Sequence, residues 1–241
     1  MFTDILYIVG LTVLAGACIP LGGLLASFER IRPNWLEQEV RHFLIALGGG
    51  ILLGAVAVVL IPEGQSSMGG SLWAIPAIIV GGLLFFGIER ILGLKRRESP
   101  QLMGVMLDFI PEATALGGLA VVSPETAMLM AVLIAMQNLP EGFNAYRELA
   151  SLPGYTSGKT LAFMACLVIT GPLAGLLGYF FLSERPVVLG AIMLVASGGI
   201  LYLIFQDIAP QSKLEHHWGP PLGAVVGFCL ALFSHDLVGQ V

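Results

Sequence analysis

Charged residues are scarce in this chain: Lys, Arg, Asp and Glu together make up 11% of its 241 residues. Soluble domains carry about 25% charged residues, and disordered chains combine high charge with few hydrophobic residues. A cytosolic enzyme, a nucleic-acid reader and a disordered scaffold are therefore poor interpretations. The net charge of -5 adds little, because electrostatic steering requires charge that is exposed to solvent.

Cysteine is also rare, and the three cysteines lie singly in apolar runs at Cys18, Cys166 and Cys229. Without C-x-x-C spacing they favour neither a disulfide framework nor a structural zinc site. They are typical of small residues in helix packing. The sequence also lacks a His-Glu-x-x-His metalloprotease motif and a Gly-x-Ser-x-Gly nucleophile turn. We therefore do not expect an enzyme.

Apolar residues, by contrast, are abundant: they make up 56% of the chain, and the mean hydropathy is +0.89. Because about 20 apolar residues cross a bilayer as a helix, we predict eight transmembrane helices. They cover approximately residues 4–27, 42–62, 72–92, 102–122, 125–145, 160–182, 187–208 and 221–239. The loops between them are too short to enclose a soluble core. The prediction is an all-α membrane protein with one polytopic domain over residues 1–241.

Lysine and arginine favour one side of this predicted bundle. Ten of the eleven flank alternate loops, at Arg30, Arg32, Arg41, Arg90, Lys95, Arg96, Arg97, Arg147, Lys159 and Lys213. Only Arg185 lies on the opposite side. Because cytoplasmic loops are enriched in these residues, we predict that both termini lie outside the cytoplasm. The compact chain with short loops favours the cytoplasmic membrane of a prokaryote.

Acidic and amide side chains occur at membrane depth in two of the predicted helices. Asp108 and Glu112 share one face of the fourth helix, while Gln137 and Glu141 share one face of the fifth, with Asn138 beside them. Charged groups inside a membrane usually face a partner, an ion or water. The two helices run antiparallel, so we expect these groups to meet. Three carboxylates without a buried cationic residue must protonate or bind positive charge.

A proline precedes each glutamate of these two helices, at Pro111 and Pro140. Proline removes the hydrogen bond to the carbonyl group four residues earlier. We therefore expect both helices to be interrupted, with the freed carbonyl groups of Leu107 and Met136 beside the site. A proline kink with protonated, hydrogen-bonded carboxyl groups is the alternative.

Two segments resemble the paired His-Asn-x-Pro-Glu-Gly motifs of the ZIP family of divalent-metal transporters: residues 108–113 (Asp-Phe-Ile-Pro-Glu-Ala) and 137–142 (Gln-Asn-Leu-Pro-Glu-Gly). Further segments resemble other helices of that family, namely residues 54–64, 171–179, 196–210 and 223–239. The resemblance spans nearly the whole chain. It implies eight helices, termini outside the cytoplasm, and metal ligands on the fourth and fifth helices.

The resemblance also implies which positions hold the metal. They are Asp108, Phe109, Glu112, Gln137, Asn138 and Glu141, with Val59 at the ligand position of the second helix. Three residues depart from the family pattern: Asp108 replaces the usual histidine, Phe109 replaces the usual asparagine, and Gly171 stands where many members have a glutamate. These departures favour one metal site rather than two.

The expected site contains Asp108, Glu112, Gln137 and Glu141, with Asn138 as a further candidate ligand. Every predicted ligand atom is an oxygen, which favours manganese, iron(II) or magnesium relative to a histidine site, although zinc also accepts carboxylates.

We therefore predict transport of divalent cations (zinc, manganese, iron(II) or cadmium) into the cytoplasm, with no resident cofactor and no nucleic-acid partner. Two alternatives stay open: a non-transporting metal sensor or scaffold with the same architecture, and a channel for monovalent ions. Transporters of this family often form homodimers, so the resemblance makes a homodimer an alternative to a monomer.

We also make predictions for five other polar residues. Glu63 is expected to end the second helix at the outer surface, and His235 to lie at the membrane interface. Asp207 is expected either to help an ion leave or to sit at a solvated helix end. His216 and His217 are expected to form a polar cytoplasmic pair, since two adjacent histidines lack a complete set of metal ligands.

Overall fold

A computed structural model describes residues 1–28, 34–70, 72–93, 100–215 and 217–238, which form helices and turns without a strand. The predicted all-α class is confirmed. Six helical segments are long and apolar enough to cross a membrane: Phe2–Phe28, Leu36–Ser67, Ala74–Ile91, Gly104–Val122, Ser157–Leu182 and Pro186–Ser212. The predicted fifth and eighth spans correspond to helices outside this set, the more polar Pro124–Ala150 and the 17-residue Leu222–Val238.

The α-helices of the described chain are α1 (Phe2–Phe28), α2 (Asn34–Ala55), α3 (Ile61–Ser67), α4 (Ala74–Gly93), α5 (Pro100–Val122), α6 (Pro124–Ala150), α7 (Ser157–Leu167), α8 (Thr170–Leu182), α9 (Pro186–Leu203), α10 (Ala209–Ser212) and α11 (Leu222–Val238). A π-helical turn, Val56–Leu60, joins α2 to α3, and a second one, Ile204–Ile208, joins α9 to α10.

Several helices are longer than the apolar runs that predicted them. The second helix begins at Asn34 rather than near residue 42, and it continues to Ser67, so Glu63 lies inside a helix rather than at its end. The turn that follows contains Gly69 and Gly70, whose φ angles of 69° and 71° favour glycine. Hydropathy detects only the bilayer-length part of a helix, whereas helical hydrogen bonding continues into the polar flanks.

The backbone irregularities lie elsewhere than predicted. Helices α5 and α6 stay α-helical through Pro111 and Pro140, so the expected interruption at these residues is wrong. The two π turns each end two residues before another proline, Pro62 or Pro210. In a π turn the N–H group bonds to the carbonyl five residues earlier.

Two pairs of helices, α1 with α6 and α8 with α5, make similar close contacts. In the first pair a Cβ on Gly142 would collide with the carbonyl oxygen of Ile19, and in the second a Cβ on Gly117 would collide with that of Gly175. Only glycine allows the backbones to approach this closely.

The same correspondence holds for a second pair of contacts. Helix α2 packs along α11 and α9 packs along α4. A Cβ on Gly50 would collide with the carbonyl oxygen of Ala224, and one on Gly198 with that of Ile78. The helices α1, α2 and α4 therefore have counterparts in α8, α9 and α11, while α5 and α6 are counterparts of each other. These matching contacts indicate an internal structural repeat in the described part of the chain.

Helix α5 lies in the interior of this arrangement. In its most apolar stretch 61% of the residues are buried, against 17% in that of α4. Helix α6 contacts α1, α2, α5, α7 and α11. The middle parts of α5 and α6 therefore lie inside the protein.

Candidate functional site

Helices α5 and α6 carry all five residues predicted to hold a metal, and all five are buried. None of Asp108, Glu112, Gln137, Asn138 and Glu141 is more than 8% exposed. Burying such groups costs free energy unless they are paired or hydrogen-bonded. Their partners therefore decide what this cluster does.

The two helices meet at the levels that an antiparallel arrangement predicts. Gln137 Nε2 donates a hydrogen bond of 2.6 Å to Glu112 Oε2. One turn away, Asp108 and Glu141 line the same cavity. Asp108 is within electrostatic range of both Glu141 and Glu112. The three carboxyl groups thus occupy one region between α5 and α6.

Six buried oxygen atoms in this region lack a hydrogen-bond partner. They are Asp108 Oδ1, Gln137 Oε1, Asn138 Oδ1, Glu141 Oε1, Glu141 Oε2 and Asn144 Oδ1. In the part of the chain that the structure describes, the other buried side-chain atom in this condition is Arg41 Nε. Buried polar groups nearly always have partners, and each unsatisfied one costs about 1–3 kcal/mol. A set composed only of acceptors is suited to a cation.

The second residue of each motif contacts α1. Asn138 Nδ2 donates a hydrogen bond of 3.0 Å to the carbonyl oxygen of Ala15. Phe109 is fully buried, and a Cβ built on Gly16 or Gly171 would lie 3.0 Å or 2.7 Å from its Cζ atom. The ring of Phe109 therefore fills the space that a side chain at Gly171 would need. Phe109 and Gly171, two residues at which the sequence differs from the motif pattern that it resembles, are thus in contact.

A small cavity of about 20 Å³ borders the carboxylates of Asp108 and Glu141. Asp207, from the second π turn, lines it as well, together with Gly104, Val105, Leu203 and Ile208. Since about 10–15 Å³ is enough for one water molecule, the cavity has room for one small occupant. Asp207 therefore lies close to two of the residues predicted to hold a metal.

The carboxylates do not form a complete metal site by themselves. Among the His, Cys, Asp and Glu side chains that the structure describes, no group of three is placed to hold a metal ion. An ion between α5 and α6 would therefore also need amide oxygens, which Gln137 and Asn138 present without a partner. Val59 is buried in the first π turn and offers no ligand atom.

A second polar cavity, of about 110 Å³, lies near the turn between α5 and α6. Glu63, Glu125, Thr126 and His235 line it. Thr126 Oγ1 donates a hydrogen bond of 3.1 Å to Glu63 Oε1. Glu63 and His235, which the sequence placed separately at the surface, therefore share one cavity.

Polar contacts also join the opposite helix ends. Arg147 of α6 pairs with Glu37 of α2, and His217 Nδ1 lies 2.8 Å from Glu39 Oε1. His217 therefore has a carboxylate partner on α2. Several residues used in the predictions lie outside the described residues: Arg30, Arg32, Lys95, Arg96, Arg97 and His216.

Sequence reasoning missed one buried polar residue of this region, Asn144. It is 1% exposed and follows Gln137 by seven residues and Glu141 by three. This spacing places all three on one side of a helix, so the signal was present in the sequence.

No family model matches the chain, and no curated protein matches it. Membership of the ZIP family therefore stays a prediction that rests on the motif residues.

Proposed function

We propose that the chain is a ZIP-like carrier that moves divalent metal cations into the cytoplasm. The observation that carries the proposal is the set of unpartnered, buried oxygen atoms on α5 and α6. An unpaired acceptor set in a membrane protein is expensive, and a bound cation supplies the missing interactions. Eight membrane spans, with both termini outside the cytoplasm, complete the proposed topology.

The internal repeat supports a carrier. Many secondary transporters are built from repeats, with substrate sites near the middle of the membrane where the repeats meet. Here the candidate site lies on α5 and α6, which are counterparts of each other and lie between the two matching helix sets. Motion of one set against the other would open the site to each side in turn.

We assign different roles to the ligands according to their partners. Both carboxylate oxygens of Glu141 lack a partner, so Glu141 is the principal ligand. Asp108 contributes the unpartnered Oδ1, while Glu112 shares one oxygen with Gln137 Nε2. The free amide oxygens of Gln137 and Asn138 complete the set.

The chemistry of this set favours one dehydrated cation that accepts oxygen ligands. Manganese and iron(II) suit carboxylate and amide oxygens, and zinc accepts carboxylates. Protons compete with the metal, because ligands must be deprotonated to bind it. On the side of α1 and α8, the ring of Phe109 fills the space beside Gly16 and Gly171, so we expect no ion path there. The cavity lined by Asp207 provides the route on the other side.

The decisive experiment measures uptake of Mn²⁺, Zn²⁺, Fe²⁺ and Cd²⁺ into liposomes that contain the purified protein. The Glu112→Gln/Glu141→Gln double variant removes two charges from the site, and Glu125→Gln, in the other polar cavity, is the matched control. We expect saturable uptake in the wild type and the control, and none in the double variant.

Each other outcome has a defined meaning. Carboxylate-dependent metal binding without uptake would identify a sensor or scaffold, and a current of monovalent ions would identify a channel. Undiminished uptake by the double variant would remove the proposed site.

A further inference from the structure

Asn144 is a further buried residue of α6 with an oxygen atom that could bind a cation. Its side chain is 1% exposed. The Nδ2 group donates a hydrogen bond of 2.9 Å to the carbonyl oxygen of Pro140, while Oδ1 is buried without a partner. The donor half of the amide is therefore satisfied by its own helix, and the acceptor half is not.

The position of Asn144 connects it with the proposed metal site. At 1.5 Å per residue, it lies about 4.5 Å from Glu141 along the helix axis, toward the end that carries Arg147. At 100° per residue, it lies only about 20° from Gln137 around the axis. A line of oxygen atoms thus runs from Gln137 past Glu141 to Asn144, and all three residues contribute unpartnered oxygens.

We propose that Asn144 Oδ1 is a further cation ligand, which receives the ion from Glu141 during its passage toward the C-terminal end of α6. This inference rests on the proposed carrier function and adds a second, transient subsite to it. A neutral amide oxygen binds a divalent cation more weakly than a carboxylate does, because it brings no charge. Such a ligand lets the ion advance without trapping it.

If Asn144 had only a structural role, its variants would behave differently from those of a metal ligand. If the side chain only bonds to the Pro140 carbonyl, then serine can replace it, since Ser and Thr hydroxyls bond to the carbonyl four residues earlier in helices. Ser197 does so in α9, where its Oγ donates a hydrogen bond of 2.8 Å to the Met193 carbonyl oxygen. Aspartate has the opposite properties, because an ionised carboxylate keeps the oxygen but cannot donate.

The test therefore compares Asn144→Ser with Asn144→Asp. Mn²⁺ is the probe: its uptake is measured in liposomes, and its equilibrium binding to the purified protein is measured by electron paramagnetic resonance. For Asn144→Ser we expect uptake at saturating Mn²⁺ to fall about tenfold, in line with the loss of one supporting group around a metal. The affinity of the main site should stay unchanged. For Asn144→Asp we expect retained uptake at low Mn²⁺ and tighter binding.

The outcomes separate this inference from the proposal on which it rests. Wild-type uptake by Asn144→Ser, or loss of uptake in Asn144→Asp alone, would overturn the ligand role of Asn144 and leave the carrier function standing. A wild-type protein that neither binds nor transports Mn²⁺, Zn²⁺, Fe²⁺ or Cd²⁺ would remove both. If the aspartate variant is not recovered in folded form, the serine variant alone decides.

Discussion

Helices α5 and α6 place similar motifs at matching positions of the fold, yet they use them differently. In α6 the residue after the first motif position is Asn138, which bonds to the α1 backbone. In α5 it is Phe109, whose ring packs against glycines of α1 and α8. Five of the six unpartnered oxygens belong to α6 and one to α5.

A motif that occurs twice in the sequence therefore need not make the same contacts in both helices. In the proposed site, α6 supplies most of the candidate ligand atoms, whereas α5 supplies two carboxyl groups and the apolar ring of Phe109. The ring of Phe109 on α5 fits into the fold because Gly171 on α8 has no side chain. The proposed site therefore needs both helices, but for different physical reasons.

The first prediction compares Phe109 and Asn138 by their contributions to the free energy of unfolding. We expect Phe109→Ala to lower the free energy of unfolding by about 3–5 kcal/mol, as is usual for a buried aromatic residue. Asn138→Ala should cost about 1–3 kcal/mol, the penalty for leaving a buried partner unsatisfied. Reversible unfolding in mixed micelles measures both values. Equal losses would mean that the two positions are equivalent after all.

The second prediction compares the two helices by their effect on transport. We expect Glu141→Gln, on α6, to lower Mn²⁺ uptake by more than about 100-fold, since supporting residues of metal sites already account for about 10–100-fold. Glu112→Gln, on α5, should cost less, because the Gln137 amide already satisfies one oxygen of Glu112. Initial rates of uptake in liposomes with equal protein content measure the difference. A larger loss in Glu112→Gln would reverse the assigned roles.

The part of the site that the sequence predicted follows from helical geometry. A rise of 1.5 Å per residue and two antiparallel helices are enough to bring Glu112 to the level of Gln137, and the hydrogen bond between them agrees with this. The same reasoning failed at the prolines, since α5 and α6 stay helical at Pro111 and Pro140. Neighbouring helices can support a proline inside a membrane helix, and the pattern of one helix contains no information about its neighbours.

Tertiary neighbours explain the other failures too. The space for the Phe109 ring depends on Gly16 and Gly171, which are far apart in the sequence and on different helices. The position of Asp207 beside Asp108 and Glu141 depends on the packing of α9 near α5. For Asn144, the sequence already contained the helical spacing from Gln137 and Glu141. Only the structure shows that this part of α6 is buried.

The third prediction concerns the contact between Phe109 and Gly171; Asn138 makes a hydrogen bond instead. A Cβ at Gly171 would lie 2.7 Å from Phe109 Cζ, so we expect Gly171→Ala to cost about 1–3 kcal/mol of stability, as overpacking usually does. Phe109→Leu removes the outer ring atoms and should restore part of the loss. The four proteins form a double-mutant cycle in which a coupling above about 0.5 kcal/mol is expected for residues in contact. Additive effects would show that the two positions are independent. Gly104→Ala, where a Cβ meets no atom within 4 Å, is the control for an added methyl group in α5.

The smallest expected effect concerns the two π turns, which extend the comparison of the repeats. Val59 and Asp207 are each the fourth residue of their turn, but only Asp207 lines the cavity beside Asp108 and Glu141. We expect Asp207→Asn to slow Mn²⁺ uptake about tenfold, the lower end of the range for supporting residues of metal sites, with equilibrium binding retained. Val59→Ala should leave uptake near the wild-type value. If Asp207→Asn instead abolished binding, Asp207 would be a ligand of the main site, and the ion would depend on three helical elements rather than on α5 and α6 alone.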